Sequence, residues 1–342
     1  MFSPLFLCLL GLFAVSSFGQ SVPARILIYS ATEEFRHDSI PTAITVLKAK
    51  GASINVEFDS TEDKTRFTDT VLQSYDAILF LSNTGEVLDN DGKDAFQRYL
   101  ILGGNFIAVH SASDCLLNTS FYGREVGAYF DYHADLQDAT VDVLDDSHPS
   151  TSMLPAAWSV RDEMYNFKSD PRTIGAVVVL AANESSYVDS GTRKFDQGTP
   201  HPLAWYQTQG AGVQAGDKSV AGRSFYTSLG HLNETWQDTL FMSHILGGVS
   251  WTLEGNTTRS RNASAFVGNT GSSNPSQASS SPSQASSSPS QASLSPSQTS
   301  TTTAQTSTTT PQISRGFLHP IAGAAVTVMT LAVGCVQLFP CF

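Results

Sequence analysis

Histidine is the side chain with the most chemical reach in this sequence, because its imidazole titrates near neutrality and serves as acid, base or metal ligand. The 342-residue chain has eight: His37, His110, His133, His148, His201, His231, His244 and His319. No two are spaced as His-x-x-x-His or His-Glu-x-x-His, so a metal centre could be built only from loops distant in sequence. Ser111 fails as a hydrolase nucleophile. A nucleophile elbow needs glycine two residues to either side, and Val109 and Ser113 stand there. Cys115 reads as a small buried apolar filler.

The elements that must position these residues form a βαβ pattern. Apolar runs at Arg25–Ser30, Ile54–Phe58, Ala77–Ser82 and Asn105–His110 are of the kind that buried parallel strands show. Helices are expected over Ile40–Ala49, with Asp38 or Ser39 as its cap, and over Asp91–Leu102, closed by Gly103-Gly104. Further strands are expected at Ala139–Leu144, Ala176–Ala181, Leu203–Gln207 and Ser224–Leu229, with a last helix over Glu234–Trp251. The pattern predicts an α/β fold of three αβα layers around a mainly parallel sheet. In such sheets ligands bind beyond the carboxyl ends of the strands. Three loops leave those ends with polar residues: Glu33–Asp38, Ser82–Glu86 and His110–Asp114.

The flanks of this domain, Pro23–Leu253, are of another character. Residues 1–19 read as a signal peptide, with an apolar run at Leu5–Val15 and small residues at Ser17 and Gly19 before the cut. Residues 255–315 read as a disordered stalk. From Asn262 to Ser314 no residue is charged, and Pro-Ser-Gln recurs at Pro275, Pro282, Pro289 and Pro296. The remaining segment, 316–342, reads as a hydrophobic GPI-anchor signal, with Ser307 the favoured acceptor. The expectation is a secreted glycoprotein held at the cell surface or cell wall by a lipid anchor in the plasma membrane. Sequons at Asn118, Asn183, Asn233, Asn256 and Asn262 agree with that route. Processing at both ends would leave Cys115 alone, so no internal disulfide is expected. A formal net charge of −12 argues against nucleic acid as a partner.

With those loops in view the domain resembles the ThuA-like, or trehalose-utilisation, family, whose fold is of the flavodoxin-like, class I glutamine amidotransferase type. The resemblance rests on Phe35-Arg-His-Asp-Ser-Ile40, Phe80-Leu-Ser-Asn-Thr-Gly85, Gly103-Gly-Asn-Phe-Ile-Ala-Val-His-Ser-Ala112, Asp162-Glu163 with Tyr165-Asn-Phe167, His201-Pro-Leu-Ala-Trp205 and Gly222-Arg-Ser-Phe-Tyr-Thr-Ser-Leu-Gly-His231. These fall in the family's order across nearly all of Arg25–Leu253. One departure is Pro200, where the family often has aspartate before the histidine. Amidotransferases of this fold carry a cysteine nucleophile on the turn that His110 occupies here, so thiolate chemistry is excluded.

The family's association with sugar and keto-sugar metabolism implies a carbohydrate or keto-sugar ligand. On that reading His110, His231, Glu163 and His201 are the candidate catalytic groups, and Arg36, His37, Asp114 and Tyr165 the candidate substrate-binding groups. A divalent metal is left open, and no other cofactor is implied. Two function classes stand: a sugar-processing enzyme with His/Glu acid/base chemistry, or a non-catalytic glycan- or protein-binding surface module. His133 and His244 read as surface or helix residues, and Trp205, Tyr206, Phe225, Tyr226 and Trp251 as core aromatics.

Overall fold

A computed structural model describes residues 22–214 and 221–255. The expected signal peptide, most of the expected stalk, the expected anchor signal and the sequons at Asn256 and Asn262 lie outside those residues. Thirteen strands and five helices follow in chain order: β1 (Ala24–Tyr29), α1 (Ile40–Lys50), β2 (Val56–Thr61), α2 (Asp69–Leu72), β3 (Ala77–Leu81), β4 (Thr84–Gly85), α3 (Asn90–Ile101), β5 (Asn105–Val109), β6 (Asp114–Cys115), α4 (Ser120–Val126), β7 (Phe130–His133), β8 (Gln137–Val143), β9 (Ala157–Asp162), β10 (Tyr165–Phe167), β11 (Val177–Ala182), β12 (Pro202–Gln207), β13 (Ser224–Thr227) and α5 (Thr239–Leu253). Among the described residues no helix is long and apolar enough to cross a membrane.

Nine of these strands form the central sheet, in the order β2-β1-β3-β5-β13-β12-β11-β8-β9. From β2 to β13 every pairing is parallel. From β13 to β9 every pairing is antiparallel. The four reversals cancel in pairs, so β11 and β9 again point the same way as β13. The carboxyl ends of β1, β5, β13, β11 and β9 therefore share one edge. The apolar runs explain the parallel part: β3 and β5 are buried at every residue, as strands covered on both faces must be.

Helices cover both faces, which makes the three layers. Ala43 and Leu47 of α1 and Phe241, Ile245 and Val249 of α5 join Ile26 and Ile28 of β1 in one apolar cluster. Ala95 and Phe96 of α3 and Phe121 and Tyr122 of α4 join Leu27, Tyr29 and Phe80 in the other. α5 turns back from the carboxyl edge towards the amino edge of the strands. There the Arg223 guanidinium, one residue before β13, donates to the Trp251 carbonyl and lies 4.6 Å over the indole ring.

Some boundaries differ from expectation for local reasons. β2 begins two residues later than predicted, because Gly51–Ile54 forms a 3-10 turn and Asn55 takes a left-handed φ of 55°. Ser39 stands at the N-cap position of α1 but makes no side-chain cap; its hydroxyl donates instead to the Gly230 carbonyl, tying the start of α1 to the loop after β13. The last helix is broken into a 3-10 turn at Thr235–Gln237 and α5, which Asp238 caps by accepting from the Phe241 N–H. Cys115 is the free cysteine among the described residues and is fully buried, its thiol pushed up by burial.

Candidate functional site

Four loops deliver their side chains to the shared carboxyl edge. The loop after β1 carries His37, the turn after β5 carries His110, the loop after β13 carries His231, and the end of β9 delivers Glu163. His110 takes a φ of 57°, left-handed backbone for a residue with a Cβ. Such strain costs of order 1–3 kcal/mol and persists only where the surroundings fix it. Here the surroundings are explicit: Nδ1 of His110 donates to the Ser228 carbonyl at 2.7 Å, and the Tyr226 hydroxyl donates to the His110 carbonyl at 3.0 Å.

That first contact sets the tautomer. With Nδ1 protonated, Nε2 of His110 presents its lone pair to the cluster. It faces Nε2 of His37 at 3.0 Å and the Tyr165 hydroxyl at 3.2 Å. Nδ1 of His37 lies 3.3 Å from the Ser111 hydroxyl. On the other side Nδ1 of His231 stands 3.1 Å from Oε2 of Glu163, and His133 Nε2 stands 3.6 Å from Oε1 of the same carboxylate. One ligand-type atom each from His37, His110, Glu163 and His231 fits within a mutual spread of 4.8 Å, the geometry of a site able to hold a metal ion.

The environments of the imidazoles are pushed apart. Burial, with repulsion from neighbouring imidazoles, lowers His37 to about 4 and holds His110 well below the usual histidine range. His231 moves the other way, raised by its contact with Glu163. A neutral buried pair thus faces a protonatable imidazole paired with a carboxylate. Beneath them, Asp162 fixes the frame: its Oδ2 accepts from the Gly230 and His231 N–H groups, and its Oδ1 from the Glu163 N–H. Burial raises Asp162 to about 6, against the pull of those donors.

The other sequence candidates occupy different places. Tyr165 is in the cluster through its hydroxyl. His201 is not: its Nε2 contacts the Tyr165 carbonyl at 2.7 Å, so it backs the site from behind. Its Nδ1 lies 3.0 Å from Glu184, which supplies the carboxylate that Pro200 does not. Arg36 is exposed and pairs with Glu62 at 2.6 Å. Asp114 pairs in register with Thr84 across the short β4–β6 sheet, and burial together with Glu34 raises it to about 6. His133, read from sequence as a surface residue, is brought to Glu163 by the β7–β10 pairing.

His148 and His244 lie apart from the cluster. His148 stacks on Tyr206 at 4.5 Å, and His244 bonds the Ser150 carbonyl from inside α5. Burial lowers both to about 4. The folded values lie below the unfolded one, so the stability each contributes is present above pH 6.5 and lost as pH falls towards 4. A His244→Gln variant is therefore expected to show a shallower acid limb in urea titrations, by up to about 1.4 kcal/mol per pH unit across that window. An unchanged slope would refute this account of His244.

Of the described sequons, Asn118 is exposed, while the Asn183 and Asn233 side chains accept bonds from Ser185 and Thr42 respectively. A cavity of 720 Å³ is lined in part by Trp158, Asp162, Leu229, Leu232 and Phe241, and none of His37, His110, His231 and Glu163 lines it. Of the two we take the imidazole cluster as the site, because the chemistry-bearing groups converge there.

Comparison with known proteins bears on the family and the fold. Residues 25–252 match the family profile of ThuA, trehalose utilisation. No curated protein matches the chain. Among solved structures, a putative ThuA-like protein from Bacteroides uniformis is similar, with a TM-score of 0.56 and 20% identity over 71% of this chain and 98% of that one. Another from Parabacteroides merdae has a TM-score of 0.51 and 17% identity over 68% of this chain and 90% of that one. The glutaminase domain of Trypanosoma brucei CTPS is a more distant match, with a TM-score of 0.36 and 10% identity over 71% and 96% of the two chains. A family match spanning two thirds of the sequence, over the residues that build both sheet and cluster, places the chain in the ThuA family.

Proposed function

We propose that the domain binds and processes a carbohydrate or keto-sugar at the imidazole cluster on the carboxyl edge of the sheet, and that it does so at the cell surface, tethered by the stalk and a lipid anchor. The observation that carries the catalytic part is the meeting of His37, His110 and His231 with Glu163 from four separate loops. Sugar hydroxyls and carbonyls need proton donors and acceptors placed together. His231 paired with Glu163 supplies a positioned proton, and His110, held in one tautomer by the Ser228 carbonyl, supplies a lone pair. Tyr165, itself buried, holds its hydroxyl 3.2 Å from that lone pair and so helps to orient it. The trehalose-utilisation description of the family supports the substrate class.

The test is turnover of a panel of disaccharides and keto-disaccharides by the purified chain and its His110→Ala and His231→Ala variants. Loss of a positioned acid or base is expected to lower kcat/KM by about 10²–10⁴-fold. Unchanged turnover in both variants would remove those residues from the reaction. Binding without turnover by the parent chain would make the domain a glycan-recognition module instead.

A further inference from the structure

We infer that the cluster is a metal centre: His37, His110, His231 and Glu163 hold one divalent transition-metal ion of the zinc class, with an open side towards solvent. This deepens the proposed function and rests on the same reading of the cluster as the working site: in the loaded protein the ion takes the place of the His231 proton, and its bound water takes over the acid/base part. The donor set is three imidazole nitrogens and one carboxylate oxygen, the ligand types that zinc takes in protein sites. Their spacings suit a single ion. The two Nε2 atoms of His37 and His110 are 3.0 Å apart, Nδ1 of His231 is 3.1 Å from Oε2 of Glu163, and Nε2 of His110 is 3.9 Å from that same oxygen. Ligands about 2.0–2.1 Å from a tetrahedral ion lie roughly 3.3 Å from one another.

The supporting contacts make the stronger argument. Histidines that ligate metals give their other ring nitrogen to a carbonyl or hydroxyl, which fixes the tautomer and aims the free lone pair. His110 does this through Nδ1 to the Ser228 carbonyl, and His37 has its Nδ1 beside the Ser111 hydroxyl. Both arrangements turn the two Nε2 atoms towards each other inside a buried space. A single shared proton would satisfy that pair and leave the other two donors to themselves, whereas a cation satisfies all four at once. His110 is wholly buried, while the His231 side chain keeps 20% of its surface exposed, so the floor of the site is closed and its mouth open. The ion would fill a tetrahedral shell with these four ligands and take water or substrate as a fifth on the open side. Placed there, it would polarise a carbonyl oxygen or acidify a bound hydroxyl, the chemistry a keto-sugar asks for.

The test uses the purified chain stripped with a chelator and titrated with Zn(II) against a chromophoric competitor, then with Co(II) by visible absorption. One ion per chain is expected, with the intense ligand-field bands of four- or five-coordinate Co(II). Glu163→Gln and His37→Gln should each weaken Zn(II) affinity by about 100-fold or more, above the 10–100-fold typical of supporting residues. Near-UV circular dichroism checks that both variants fold, and the conservative Glu163→Gln carries the test if a histidine variant does not. Zn(II) binding unaffected by these substitutions, or Co(II) with the weak bands of the hydrated ion, would overturn the assignment. Sugar turnover at full rate by the stripped chain, with no ion bound, would refute the metal centre and leave the proposed function standing. One tightly bound ion without any turnover would do the reverse.

Discussion

Replacing Asp162 by alanine is expected to destabilise the domain by about 3–5 kcal/mol and to abolish whatever the cluster does. The carboxylate is 1% exposed and accepts three backbone N–H groups, those of Glu163, Gly230 and His231. Each bond to a charged acceptor contributes about 1.5–3 kcal/mol, and the N–H groups left behind have little water to turn to. Two of the three donors belong to the residues that contribute Glu163 and His231 to the site. Asp162 is thus a positioning residue, acting through the loop after β13 and the end of β9. The measurement, on chelator-stripped protein, is denaturant unfolding together with the imidazole titration of His231 by NMR. In the parent chain Glu163 raises that titration; in Asp162→Ala, and less so in Asp162→Asn, it should fall back towards the free-histidine value. A variant that unfolds at the parental midpoint and keeps the raised titration would show that Asp162 does not hold the frame.

Gly247→Ala in the middle of α5 is expected to destabilise although alanine is the better helix former. Propensity alone would favour the substitution by about 1 kcal/mol. The added Cβ, however, would sit 2.1 Å from the Pro149 carbonyl oxygen and 2.8 Å from the Ser150 Cα. Those are backbone atoms, and the segment is held from α5 itself through the His244 bond to the Ser150 carbonyl. Nor has the helix room to turn, since the Phe225 ring packs so tightly on the next residue that a Cβ on Gly248 would meet it at 2.3 Å. Overpacking of this kind costs typically about 1–3 kcal/mol net, which for a domain of this size lowers Tm by roughly 2–4 °C per kcal/mol. A rise in Tm would mean that the 148–150 segment yields freely.

How far the sequence carried this structure depends on the element. β1, β3, β5 and β13 are short apolar runs between turn residues, and their burial on both faces makes them stand out. β9, Ala-Trp-Ser-Val-Arg-Asp, was not expected as a strand. It is an edge strand with one face to solvent, so its residues alternate in exposure and include charge. Missing β9 hid the reason for the position of Glu163, since only the double reversal of the antiparallel strands brings that end of the chain to the carboxyl edge. The same blindness applies to His133 and His201. His201 opens a stretch that resembles the family, but the side of Tyr165 on which it and His133 stand is set by the β7–β10 pairing and the loop before β12, which involve long-range contacts with no local signature. The convergence of His37 and His110 was the more legible part, because parallel strands place the loops that follow them on one side by geometry alone.

The clasp between Arg223 and the Trp251 carbonyl has a practical bearing. It fixes the last turn of α5 at the amino edge of the sheet, the edge from which β1 also sets out at Ala24. Entry to and exit from the described domain therefore both lie at the pole facing away from the imidazoles. A bead, fluorophore or solid support coupled just beyond Leu253 would leave the imidazole cluster directed away from the point of attachment.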